Sequence, residues 1–167
     1  MRKLYILKAV VDFLWIMTWL TLPFFIILFF VLLFTNEPFD VPISIHGSTK
    51  LLTSGYENYI LLAGIIQIGI LLYALYFFRK LLTNFRRRKI FEQENASLLK
   101  KMGNLVIISA VVYFLFDLGI NLLNDKLTIS IGYGPFLYLL GFGLFLHVLS
   151  EVFQMGNQIQ EENKLTI

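Results

Sequence analysis

FLWIMTWLTLPFFIILFFVLLF, residues 13–34, runs for twenty-two positions without a charged side chain. A helix that crosses a bilayer needs about 20 mostly apolar residues, and a soluble helix of that length would show a polar face. Working outward, three more stretches meet the same requirement: 58–78, 102–123 and 135–154, after a first span near 9–34. Tyr59–Phe78 is also free of charge. A barrel strand needs only about 10 alternating residues, so these runs read as helices. The composition agrees, with 15% charged residues against about 25% in ordinary soluble domains. The 167 residues leave room for one membrane domain and no separate catalytic one. The basic, then apolar, start resembles a signal peptide, but the run is too long, contains Pro23 and lacks an A-x-A-like cleavage site. It is expected to stay as the first span.

Orientation follows from the cations. Arg2, Lys3 and Lys8 precede the first span. Arg79, Lys80, Arg86, Arg87, Arg88, Lys89, Lys100 and Lys101 lie between the second and third, and Lys164 follows the fourth. Only Lys50 and Lys126 occupy the other two loops. Twelve cations on one side and two on the other predict, by the positive-inside rule, that both termini are cytoplasmic. The cluster in NFRRRKIFEQEN, residues 84–95, reads first as a topology signal that also touches anionic lipid headgroups. Direct nucleic-acid binding would need a broader basic surface with more stacking aromatics than Phe85 and Phe91.

The cytoplasmic connection carries a helical pattern through Leu81, Leu82 and Phe85, and again from Glu92 and Glu94 through Leu98, Leu99 and Met102. The second and third spans are therefore expected to extend past the bilayer as a helical hairpin turning near Arg88–Phe91. On the other side, residues 40–46 and 127–131 alternate β-branched apolar and polar residues, a strand signal. They are expected to pair as a small extracytoplasmic ribbon, with Pro42 at an edge or a strand start. His46 reads as a solvated loop histidine.

Phe91-Glu92-Gln93-Glu94-Asn95, followed by Leu98 and Gly103, and the ending Phe153-Gln154-Met155-Gly156 with Glu161-Glu162-Asn163-Lys164-Leu165-Thr166-Ile167, resemble the DUF2975 family of small bacterial membrane proteins. The resemblance spans nearly the whole chain and implies four spans, a bacterial inner-membrane location and no established activity. The family usually starts its inner motif with a Lys-Gly-x-Pro-Phe-like segment, whereas this chain has Arg87-Arg88-Lys89-Ile90 before Phe91. Its genes often lie beside a Cro/CI-type helix-turn-helix regulator, which implies a soluble partner.

Ionisable and amide side chains within spans are costly and are read as functional candidates. Asp12 sits near the cytoplasmic edge, as an interfacial acid. Gln67 is expected to hydrogen-bond between helices. Asp117, Asn121 and Asn124 share one helical face, and His147 and Glu151 share another at a spacing suited to a proton relay or pH sensor. The catalytic patterns are absent from the sequence: no cysteine, no H-E-x-x-H and no G-x-S-x-G. Gly141-Phe142-Gly143 lies inside an apolar run, where small residues permit close helix packing. No enzyme, cofactor or metal site is expected.

The fold expected is thus a bundle of four transmembrane helices. Its function is expected to be regulatory. Phe91, Glu92, Glu94, Asn95, Leu98, Glu161, Glu162, Leu165 and Ile167 would form a cytoplasmic platform for a soluble partner. The alternatives are an oligomeric transporter or channel subunit, and a structural bundle.

Overall fold

The computed structural model describes residues 2–34, 39–45, 48–52, 56–123 and 134–165. Four long helices dominate: α1 (Arg2–Phe34), α2 (Tyr56–Arg86), α3 (Gln93–Leu123) and α4 (Gly134–Leu165). All four are long and apolar enough to cross a membrane. At 1.5 Å per residue, α2 and α3, with 31 residues each, reach about 46 Å. A bilayer core is about 30 Å thick. The excess lies at one end, past Phe78 on α2 and before Met102 on α3, where the charges concentrate.

The helices run antiparallel to their sequence neighbours, and the contacts are uneven. Buried Ala74 and Leu81 of α2, Leu98, Leu99, Met102 and Val106 of α3, and Leu146 of α4 form one apolar core. This core sits toward the charged end. Helix α1 stands outside it and packs chiefly along α2. Phe25, Leu28 and Phe29 meet Leu61 and Ile65 at one end, and Asp12 meets Arg79 at the other. Among the described α1 side chains only Val11 is buried. The expected bundle is therefore three closely packed helices with a flanking fourth. The physical reason is the uniform character of α1, which is apolar on all sides and so satisfied by hydrocarbon as well as by protein.

The exposed polar groups on α1 suit that setting. The Thr18 hydroxyl donates to the Leu14 carbonyl at 2.8 Å, and that of Thr21 to the Thr18 carbonyl at 3.1 Å. Such internal bonding is what a lipid environment demands, because no water is present to replace it.

Glycine sets the closeness of α3 and α4. A Cβ on Gly103 would stand 2.8 Å from His147 Cδ2 and 2.9 Å from the Gly143 carbonyl oxygen. One on Gly143 would meet Ile107 Cγ1 at 2.6 Å. The two backbones touch because neither residue has a side chain.

Two strands, β1 (Phe39–Ile45) and β2 (Ser48–Leu52), pair antiparallel between α1 and α2, with Ile43 opposite Lys50 and an irregularity between Phe39 and Pro42. The sequence led us to expect residues 127–131 as the partner of 40–46. Residues 48–52 pair with this strand, and residues 127–131 and His46 lie outside the described residues. A two-residue connection ending in Gly47 is a hairpin signal, and this nearer strand closes a far shorter loop.

Candidate functional site

The charged end of the helices is built around one turn. Helix α2 stops at Arg86 and α3 begins at Gln93. The Lys89 amide donates to the Asn84 carbonyl at 3.1 Å and the Arg88 amide to the Phe85 carbonyl at 3.0 Å. This is the double bond pattern of a Schellman cap, with Arg88 at the left-handed position that glycine usually fills. Its φ is 61°. The turn therefore bears the strain of a side chain there.

Asn95 holds the turn from inside. It is 0% exposed, and its Nδ2 donates to the Lys89 carbonyl at 2.6 Å and the Ile90 carbonyl at 2.7 Å. Backbone carbonyls only accept, so the amide nitrogen must face them and Oδ1 must face the other way. There it accepts from Asn84 Nδ2 at 2.8 Å. Asn84 gives a second hydrogen bond to Glu94 Oε2 at 3.0 Å, and Glu94 Oε1 lies 2.7 Å from Lys80. The chain of partners runs from α2 through α3 into the turn, leaving no buried amide atom in it unpaired.

Two of the acids expected to face a partner are thus already engaged. Glu94 lies beyond the apolar runs, and the Lys80 ammonium, then the Asn84 amide, hold its carboxyl below the usual carboxylate range. In return Glu94 raises Lys80. Glu92 pairs with Lys89 at 3.2 Å. Both pairs are exposed and contribute little to stability, but they occupy the carboxylates.

The two family-like motifs meet here. The Phe91 ring lies on Gly156, where a Cβ would come within 2.5 Å of its Cδ1. Phe153 packs against Phe91 and Phe85, with ring centroids 5.5 and 5.7 Å away. One turn earlier on α4, the buried Ser150 hydroxyl donates to the Ala96 carbonyl at 2.6 Å. Gly156 is therefore level with the tip of the α2–α3 turn, and the remainder of α4 extends past it.

The other expected positions are dispersed. Leu98 is in the core rather than on a surface. Ile159 is 60% exposed, Glu161 accepts from Asn157 at 3.0 Å, and Glu162 is exposed. The side chains of Leu165 and Asn121, and all of Asn124 and Ile167, lie outside the described residues. Gln67 is half-buried, and none of the described hydrogen bonds joins it to another helix. Asp117 is exposed on α3. His147 is half-buried over Gly103 while Glu151 is exposed, and no ion pair joins them among the described residues. Among the described residues no group of acidic or histidine side chains is arranged to hold a metal.

Asp12 is more than an interfacial acid. Its Oδ2 accepts from Lys8 at 2.9 Å and its Oδ1 from Arg79 Nε at 2.6 Å, tying α1 to α2. The Arg79 guanidinium lies 4.2 Å from the Trp15 ring centroid, and that of Arg86 lies 4.4 Å from the Tyr5 ring. Sequence reading missed this seam and the role of Asn84. The available signal was that Asp12 and Arg79 both border charge-free runs, which puts them at one depth.

Compared with known protein families, residues 7–167 match the model described as a protein of unknown function, DUF2975. The chain belongs to that family. No curated protein matches it, and no solved structure does. The match covers essentially the whole of this DUF2975 member, including the Asn95-centred turn and the Phe91–Gly156 contact.

Proposed function

We propose that this DUF2975 protein is a non-catalytic regulatory protein of the bacterial inner membrane, with both termini cytoplasmic, that holds a soluble partner on the projecting end of α4. One observation supports this reading above the rest. Gly156 is seated on Phe91 at the tip of the hairpin, yet α4 continues to Leu165, about 13 Å farther at 1.5 Å per residue. Positions 158–164 of that extension are exposed. Met155 and Ile159, one turn apart, are both exposed.

The chemistry of the extension suits a basic partner. Glu161 and Glu162 outweigh Lys164 there, and both acids are exposed. Exposed ion pairs contribute about 0–1 kcal/mol each and so steer the encounter, and the apolar contacts of Met155 and Ile159 must supply the affinity. A DNA-binding regulator of the helix-turn-helix kind, implied by the resemblance, has the required charge. The transporter or channel reading has less support, because Gln67, Asp117 and His147 stand on three helices at different heights.

The test is a capture from native membranes in mild detergent, comparing the full chain with one lacking residues 157–167. A basic helix-turn-helix protein should be recovered with the full chain and lost with the deletion, while insertion and helix content stay intact. Equal recovery from both, or recovery from neither, contradicts the proposal.

A further inference from the structure

The seam between α1 and α2 carries positive charge that no ion pair among the described residues neutralises. Tyr5, Lys8, Asp12 and Trp15 fall on one face of α1, at steps of three and four residues. Arg79 and Arg86, seven apart, fall on one face of α2. Asp12 is the sole acid of this set, and it pairs with Lys8 and Arg79, while the set also holds Arg86. Arg79 uses Nε on Asp12, and none of the described hydrogen bonds uses its two terminal nitrogens. Arg86 is exposed and held over the Tyr5 ring. The whole set stands where the charge-free runs end, at Phe13 on α1 and Phe78 on α2. A membrane places its headgroups at that depth, and tryptophan and tyrosine favour it.

We propose that this seam is a binding site for one anionic phospholipid, whose phosphodiester sits between Arg79, Arg86 and Lys8. Guanidinium nitrogens suit phosphate oxygens, which they hold in paired hydrogen bonds. The aromatic rings fix the guanidinium groups in place through cation–π contacts, so less freedom is lost when the lipid docks. The acyl chains would follow the apolar outer face of α1, where Leu14 and Phe13 are exposed. A zwitterionic lipid offers the same phosphate but brings a cation with it, which the net positive seam repels.

Full-length protein in mixed micelles containing equal phosphatidylglycerol and phosphatidylcholine, examined by native mass spectrometry, tests this. Phosphatidylglycerol should be retained in preference. Each basic residue near a headgroup adds about a fivefold preference, so Arg86→Gln should weaken retention about fivefold and Lys8→Gln with Arg86→Gln about 25-fold. Lys100→Gln, an equal loss of charge on α3, should leave it unchanged. Should the double variant fail to fold, the exposed Arg86→Gln and the melting shift of the unaltered protein on adding each lipid decide the matter. Equal retention of the two lipids, no effect of Arg86→Gln, or displacement by inorganic phosphate at matched concentration would each overturn the assignment.

Discussion

Replacing Asn95 by alanine should unlock the turn at the charged end. Three hydrogen bonds disappear: two to the carbonyls of Lys89 and Ile90, and one from Asn84. Each contributes about 1 kcal/mol net. Lys89 and Ile90 are exposed, so water can take over their carbonyls in part. The Asn84 N–H that loses its acceptor is buried, and an unpaired buried donor costs about 1–3 kcal/mol. The loss should come to about 2–4 kcal/mol, or a fall in Tm of about 5–15 °C for a chain of this size. Thermal unfolding in mild detergent measures it. Asn95→Asp sharpens the reasoning, because it sets an acceptor against two carbonyl oxygens. The folded state would then favour the protonated acid and raise its pKa above about 3.9. The variant should accordingly be nearest to wild type below about pH 4 and lose stability as pH rises through the folded value. An Asn95→Ala protein melting within about 1 °C of wild type, with helix content unchanged, would refute the view that this side chain holds the turn.

Three other outcomes follow from the geometry. Arg88→Gly should stabilise the protein by about 1 kcal/mol, since φ is 61° there and glycine adopts that conformation freely; a melting temperature equal to or below wild type would count against it. Gly156→Leu should displace Phe91 and cost about 1–3 kcal/mol, and adding Phe91→Ala should relieve much of that loss, which a double-mutant cycle would detect as non-additivity. Asp12→Asn removes the charged tie between α1 and α2, so hydrogen exchange should accelerate in α1 and leave α3 and α4 unaffected.

The spans were legible because absence of charge over twenty residues has few other readings, and the turn near Arg88–Phe91 was legible because the helical pattern breaks there. The position of α1 was not. A helix apolar on every side carries no face to orient, and its ties to α2 join residues 67 apart. Asn95 was read as a contact residue because an asparagine in sequence looks the same whether it meets a partner or two carbonyls of its own turn. Glu92 and Glu94 misled for a similar reason: their cations, Lys89 and Lys80, were assigned to topology, although helical packing brings Lys80 beside Glu94. The strand at 48–52 could have been found from the two-residue link His46-Gly47. Phe91 and Gly156 were both quoted in the family-like motifs, but nothing in one sequence says that a glycine on α4 is the seat for a ring 65 positions earlier.

Both proposals require a membrane arrangement in which the Asn95 turn and the end of α4 share the cytoplasmic side while the β1–β2 hairpin lies opposite. The chain has no cysteine, so single cysteines report without a background. In intact cells, cysteine at position 50 should react with a membrane-impermeant thiol reagent. Cysteine at 89 or 164 should react only after the membrane is opened. Labelling of 89 or 164 in intact cells, with 50 protected, would contradict the arrangement.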